Sequence, residues 1–442
     1  MASYVNKTPL IRQITNRGYA AQASPRAAAG AASAGIRSTA LPNKLVVATA
    51  DSHLPASRIS IVFRAGSRFE NYENMGASHM LRIAAGLSTK NSSGFAITRN
   101  IQQSGGNLHV TSDREVVQYT VEVNNEHLET GLRFLKDVAT APAFKPWELS
   151  DSSQRIRIQV ASVPKNVRAL ELLHKAAFGI GLGNSIYCPK YHIGKLSQET
   201  MQHFFNKTCT TNRCAVVGVG VDHNLLTGFA QNLSIDSGEG ITNQAKYRGN
   251  VEIRKDRASN KAHVAIGGQG AGLSNLKEAL AFAILKRALG AEPVTKRGNS
   301  SGPLGKISDH GASVSAINAL YNDSGLFGIL ISCDGKVAHK VVEEAVKVLK
   351  SGQISSGDVK RGKALLKRHL ASLHNCESSL ISDMGYQAAL IGEVHSTSAL
   401  GAIIDSITDS DVSAAARKVG QSPLSLGAVG NLANVPSVLD IN

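Results

Sequence analysis

Several residue types are scarce in this sequence, and each scarcity removes a class of function. The 442 residues include one tryptophan, Trp147, and aromatics make up 5% of the chain. No run of Lys or Arg carries interleaved aromatic residues, and no helix-turn-helix, finger or RNA-stacking pattern is present. The formal charge of +15 therefore does not indicate nucleic-acid binding. The five cysteines, Cys188, Cys209, Cys214, Cys333 and Cys376, are odd in number and form no Cys-x-x-Cys or Cys/His cluster. A disulfide framework and a zinc ribbon are thereby excluded, and the thiols read as buried groups in a reducing compartment. No window approaches about 18 consecutive apolar residues, the length of a membrane-crossing helix. Any membrane association has to be peripheral and made through partners.

Acidic residues are missing from the whole N-terminal stretch. Asp51 is the first, and Lys7, Arg12, Arg17, Arg26, Arg37 and Lys44 precede it, mixed with Ser, Ala and a short apolar set of Leu10, Ile11 and Ile14. An Arg-rich, acid-poor, weakly amphipathic segment has the composition of a mitochondrial transit peptide, and its apolar run is too short for a secretory signal. Arg17-Gly18-Tyr19-Ala20 has arginine third before a small residue, which places cleavage between Tyr19 and Ala20. Removing residues 1–19 takes three cations away and lowers the formal charge from +15 to +12. Residues 20–40 read as a flexible N-terminal segment.

The rest of the sequence repeats itself. Arg58–Phe63 alternates like a half-buried strand, a helix follows around residues 76–87, and Val117–Val123 alternates again. Leu128, Leu132 and Leu135 then form a helical stripe. The second half has the same order: strand Ala262–Ile266, helix Leu276–Leu289, strand Leu326–Ile331, and a helix with Val341, Ala345 and Val348 on one side. The closing segments match as well. Ser197 and Thr408 each stand at an N-cap ahead of a helix, and the strands Cys214–Gly220 and Leu424–Gly430 follow. Ser234 to Gly249 is polar and glycine-broken. The reading is α+β, with two homologous domains at residues 41–233 and 251–442 joined by a linker at 234–250.

One segment has the frame of a zinc-peptidase motif without its chemistry. In H-x-x-E-H on a helix, two imidazoles one turn apart reach one Zn²⁺ and the glutamate activates a bound water. In Gly76-Ala77-Ser78-His79-Met80-Leu81-Arg82-Ile83 only the first histidine is present. Arg82 stands where the base belongs and Ile83 where the second imidazole belongs. A guanidinium stays protonated and cannot take a proton. A lone helical histidine is ordinarily a surface or packing residue, so His79 is assigned no function of its own.

Gly-x-x-His-x-Leu, preceded by Phe63–Glu70, resembles the opening helix of the pitrilysin-like (M16) metallopeptidases. That family includes the mitochondrial processing peptidase subunits and the core proteins of the cytochrome bc1 complex. The resemblance implies a third ligand, a glutamate roughly 75 residues beyond the motif. Ser152 to Leu170 holds no Asp or Glu, and Gln154–Val160 offers arginines, glutamine and valine instead. A catalytic site and a bound metal are therefore not expected. The family plan also implies paired domains, each an open mixed β-sheet with helices packed on one face.

Two glycine-rich stretches remain. Gly267–Gly272 lies between a strand and a helix, but its spacing is not that of a dinucleotide loop, and it reads as a connector. Gly290–Gly298 stands where the substrate-binding subunit of the processing peptidase has a long glycine loop, and here glycines are sparse. With Asn318–Gly328, Thr140–Glu148, Tyr187–Pro189 and Tyr247–Gly249, this resembles the bc1 branch of the family. That branch implies a non-catalytic scaffold of dimeric respiratory complex III, peripheral on the matrix side of the mitochondrial inner membrane. Core protein 1, cytochrome b, cytochrome c1, the Rieske protein and small subunits are the implied partners. No cofactor belongs to such a subunit. The alternative is the non-catalytic substrate-binding subunit of a presequence-processing peptidase.

Protein recovered from mitochondria is expected to begin at Ala20; N-terminal sequencing that returns another residue would move the cleavage point.

Overall fold

The computed structural model describes residues 35–441 except 53, 239, 242, 291–301 and 309–310. The expected cleavage point at Tyr19 and Ala20, and the sparse loop after Gly290, lie outside the described residues. Residues 36–442 form one compact unit.

Strands β1 Arg37–Ala40, β2 Val46–Ala50, β3 Ala56–Phe63, β4 Asn107–Ser112, β5 Val117–Asn124 and β6 Cys214–Val219 make a sheet in the order β1-β2-β6-β3-β5-β4. Strands β7 Glu252–Asp256, β8 Lys261–Gln269, β9 Ser313–Leu320, β10 Gly325–Asp334 and β11 Ser425–Gly430 make a second sheet in the order β7-β11-β8-β10-β9. Without β1 the two orders coincide strand for strand. The directions coincide too: β2 runs parallel to β6 as β7 does to β11, and the remaining pairs are antiparallel. The repeat read in the sequence is a repeat of topology. The connector glycines need a small correction, because β8 extends through Gly267 and Gly268 to Gln269.

The helices of the first half are α1 Ala77–Ala84, α2 Gly94–Gln103, α3 Leu128–Thr140, α4 Pro146–Ser162, α5 Lys165–Phe178, α6 Gln198–Thr208 and α7 His223–Gln231. Those of the second half are α8 Leu276–Leu289, α9 Pro303–Ser308, α10 Ala338–Ser351, α11 Ser356–His374, α12 Glu377–Leu390, α13 Thr397–Ser406, α14 Asp409–Gln421 and α15 Val438–Ile441. Their ends follow local chemistry. Ser197 accepts the Thr200 N–H at 3.1 Å to start α6. Thr408 and Asp411 exchange bonds in a capping box at the head of α14, where the Asp411 carboxylate accepts the Thr408 N–H at 2.8 Å.

Each sheet carries helices of its own half on one face. In the first half α3 packs on β5 and β3, and α7 on β2 and β6; in the second α10 packs on β10, and α14 on β8. The opposite faces are covered by exchange. Helix α5 of the first half lies on β11, β8 and β7 of the second sheet, and α12 of the second half lies on β6, β3 and β2 of the first. Leu172, Leu173 and Phe178 thus share a core with Ala265, Leu326 and Val429. Leu380, Ile381 and Met384 share another with Ala48, Val62, Ala215 and Val217. The exchange explains why β6 and β11 are buried along their whole length, as strands covered on both faces are. It also changes the reading of β5, whose alternation predicted one wet face. Gln118 and Thr120 on that face are buried, Gln118 against Gly385 of α12, with Gln118 Nε2 donating to Ser60 Oγ at 3.0 Å, Ser60 Oγ and Thr120 Oγ1 2.7 Å apart, and Gln118 Oε1 left without a partner among the described residues.

Polar groups lock the two halves where they meet. The buried Arg68 guanidinium donates to Glu115 at 2.5 Å and to Asp323 at 2.5 and 2.7 Å, and Asn322 N–H donates to Glu115 at 2.9 Å. Within the first half Arg114 donates to Glu171 at 2.6 Å, and between the halves Tyr386 donates to Asp113 at 2.8 Å. Burying charges is costly unless each is paired, and removing one partner strands the other. His174 on α5 closes the set. Its Nδ1 lies 2.9 Å from the Leu170 carbonyl and so carries the proton, leaving Nε2 to accept from the Tyr321 hydroxyl at 2.8 Å.

Two consequences are measurable. A Cβ on Gly427 of β11 would stand 2.3 Å from Leu173 N and 2.5 Å from the Ala169 carbonyl oxygen, both backbone atoms of α5. Gly427→Ala is expected to cost about 3 kcal/mol in urea unfolding, whereas Gly401→Ala in α13, with nothing within 4 Å, should be neutral or gain up to about 1 kcal/mol. Burial first, and then the neighbouring Arg114, hold His174 well below its usual 6.5. The unfolded chain therefore takes up this proton first as pH falls. The stability His174 contributes is complete above about 6.5 and declines below it, by at most about 1.4 kcal/mol per pH unit. His174→Gln should flatten that part of the stability-against-pH curve.

Candidate functional site

The site is built on α1, a helix of eight residues. It starts at Gly76, whose φ of +92° suits glycine, and a Cβ there would meet Cys188 Sγ at 2.5 Å. No side chain of the capping residue closes the N-terminus; Glu70 does so from outside. Its carboxylate accepts from Gly76 N–H and Ser78 N–H at 2.8 Å each, and from Ser78 Oγ at 2.6 Å. Burial pushes this carboxyl up to about 7, against the pull of those three donors.

His79, one turn into the helix, is fully buried. The Cys188 N–H donates to its Nδ1 at 3.1 Å, which fixes the tautomer. Nε2 then carries the proton and donates to the Gln159 Oε1 atom on α4 at 2.7 Å. The same Oε1 accepts from Arg82 Nη2 at 3.0 Å. The Tyr187 ring meets the imidazole edge to face at 6.0 Å. Burial, and then Arg82 and Arg155, hold the imidazole pKa down, so His79 is neutral.

The structure therefore brings His79 and Arg82 together, on a partner that the spacing argument passed over. Gln159 lies 80 residues beyond His79, inside the window that was searched for a carboxylate, and the only sequence signal for it was that distance. Ile83 does not join them; it packs in the apolar core of the first half. Of the cysteines, Cys188, Cys209, Cys214 and Cys333 are buried as expected, and Cys376 is the exception, exposed at the head of α12.

The residues present do not fit a zinc ion. The lone pair of Nδ1 already accepts a backbone N–H, Nε2 bears a hydrogen, and the adjoining groups are an amide and a guanidinium rather than a second imidazole and carboxylates. Among the described residues, no group of three His, Cys, Asp or Glu side chains is placed to hold a metal. What the arrangement offers is hydrogen-bond donors and positive charge, and the His79 imidazole, with Nδ1 accepting and Nε2 protonated, has no free lone pair for a substrate's proton.

Two α+β halves of one topology, interlocked by exchanged helices and carrying a Gly-x-x-His helix without its ligand set, define a peptidase-like fold with an altered site. The chain belongs to peptidase family M16: residues 45–190 match the family described as insulinase (peptidase family M16), and residues 195–366 match the M16 inactive domain. It is 39% identical over 441 residues to the mitochondrial cytochrome b-c1 complex subunit 2 of Mus musculus, spanning 95% of this chain and 97% of that one. It is 28% identical over 417 residues to a probable mitochondrial-processing peptidase subunit alpha-1 of Arabidopsis thaliana, spanning 90% and 82%. A chain of the structure titled "Complex III2 from Candida albicans, Inz-5 bound" superposes with a TM-score of 0.77 at 19% identity, covering 92% of this chain and 99% of that chain, and shares its fold.

Gln159→Ala would strand the buried Nε2–H of His79. The expected loss is about 1–3 kcal/mol in chemical unfolding, and equilibrium dialysis of the unaltered protein against zinc should give no stoichiometric binding.

Proposed function

We infer that this chain is a non-catalytic core subunit of respiratory complex III, the ubiquinol–cytochrome c reductase. It lies on the matrix side of the mitochondrial inner membrane and supports electron transfer carried out by other subunits. Core protein 1 is its direct partner, with cytochrome b, cytochrome c1, the Rieske protein and small subunits completing the dimeric complex. It is not a peptidase.

One observation carries this reading: identity of 39% to a b-c1 complex subunit over nearly the full length of both chains, against 28% to the processing-peptidase subunit. The site agrees with it, because a fixed neutral imidazole on an amide has no means of activating water. The surface agrees as well. Tyr72, Phe95, Trp147, Ile158, Ile180 and Leu439 are all more than half exposed on the isolated chain, side chains that an assembly could cover. Among the described residues no helix is long and apolar enough to cross a membrane, so attachment through partners is the consistent mode. The N-terminal composition supports import with cleavage after Tyr19, and Arg82 and Ile83 in place of the base and second imidazole, with His79 committed to Gln159 and the Cys188 N–H, support a site with neither catalysis nor metal.

Native electrophoresis of detergent-solubilised mitochondria tests the assignment. The chain is expected to co-migrate with cytochrome b. Its release as a soluble heterodimer that cleaves presequences would overturn the assignment in favour of the processing-peptidase alternative.

A further inference from the structure

The altered site has an excess of donors that the scaffold role does not use. Arg82 is half-buried, and among the described residues one of its five N–H groups is bonded, to Gln159 Oε1. Arg155 stands one helical turn before Gln159 on α4, so both project toward α1, and it lies close enough to Arg82 for the two charges to repel. The Tyr187 phenol is within electrostatic reach of Arg82 and stacks on His79. Gln159 spends its oxygen on two donors, so its amide nitrogen is the end that remains. No carboxylate is among the groups acting on Arg82 or His79.

Arg58, Arg68 and Arg114 each meet a carboxylate and Arg213 meets the backbone carbonyls of Arg64 and Ile241, while Arg82 meets a neutral amide and lies near a second guanidinium. Two cations, an amide nitrogen and a phenol around one spot, whose only acceptor is already doubly used, ask for an anion with several lone pairs.

We propose that Arg82, Arg155, the Gln159 amide and the Tyr187 hydroxyl form a binding site for an oxyanion, either the side-chain carboxylate of an acidic peptide or free phosphate. Either ligand presents two or more oxygens to a pair of guanidinium forks, the geometry in which charge-assisted bonds are strongest. Binding here involves no bond breaking: the imidazole next to the site is neutral, has its proton committed to Gln159, and is buried beneath the rim. The site holds an anion without acting on it.

Thermal melting of the full-length chain at fixed ionic strength tests the proposal, with chloride replaced stepwise by inorganic phosphate. A parallel series uses a short glutamate-containing peptide blocked at both ends. A ligand that binds only the folded state raises the melting temperature saturably. The rise is expected in at least one series, and which series shows it identifies the source of the oxyanion. Arg155→Gln removes an exposed side chain that makes no hydrogen bond or ion pair among the described residues and should fold normally, yet weaken the ligand about tenfold or more. Arg82→Gln should do the same, and Lys340→Gln, a remote surface change, should not. No rise in either series, or equal rises in the wild type and Arg155→Gln, would overturn the proposal. The readout does not depend on assembly, so its failure leaves the complex III assignment standing, and failure of co-migration leaves this site standing.

Discussion

A β-sheet with one bare apolar face is not a stable end state in water, and each half of this chain would be left with one. Helix α5 leaves its own half to cover the second sheet, and α12 leaves the second half to cover the first. The other features of the interior follow from that reciprocal covering. Strands β6 and β11 can be apolar on both faces only because a helix from elsewhere lies on each. Gly427 has no side chain because the backbone of α5 passes directly over it. The Arg68 and Glu115 pair can be buried, with the more exposed Asp323 of the second half on the same guanidinium, because the exchange brings residues from both halves to one place. Neither half buries its own apolar surface alone, so the unit of folding is the pair.

How much of this could be read from the sequence depended on the range of the interaction involved. Helix starts set by one side chain and a nearby N–H, at Ser197 and Thr408, were legible, because the chemistry is complete within a few residues. The bounds Leu276–Leu289 and the strands β3, β5, β6, β8, β10 and β11 were legible for the same reason, whereas β1, β2, β4, β7 and β9 were not read. The exchange was not. An apolar stripe on α5 states that one side is buried and does not state against which sheet. The same limit affected β5, where alternation implied a wet face; the covering helix lies more than two hundred and fifty residues away in sequence, as the contact of Ser378 with Glu122 illustrates.

The site shows a related limit. Counting ligands was enough to see that His79, Arg82 and Ile83 do not make a metal site, since that follows from residue types alone. It was not enough to see what replaces the ligands. The partner of His79 is an amide on another helix, and the tautomer that makes it a partner is set by a third segment, the backbone N–H of Cys188. A proton position that depends on three separate stretches of chain leaves no local pattern.

The amide at position 159 has a consistent physical rationale. A carboxylate there would pair with Arg82 and draw the His79 imidazole toward its charged form, because an adjacent anion favours the protonated ring. The site would then hold a charged pair and a titrating group in a buried place. Glutamine keeps the same reach and accepts the same two hydrogen bonds, but carries no charge, so the imidazole stays neutral and fixed while the positive charge of Arg82 and Arg155 is left uncancelled. The amide at 159 thus leaves the positive charge of the site in place and gives the imidazole no anion to charge it, while the general base is lost separately, at Arg82.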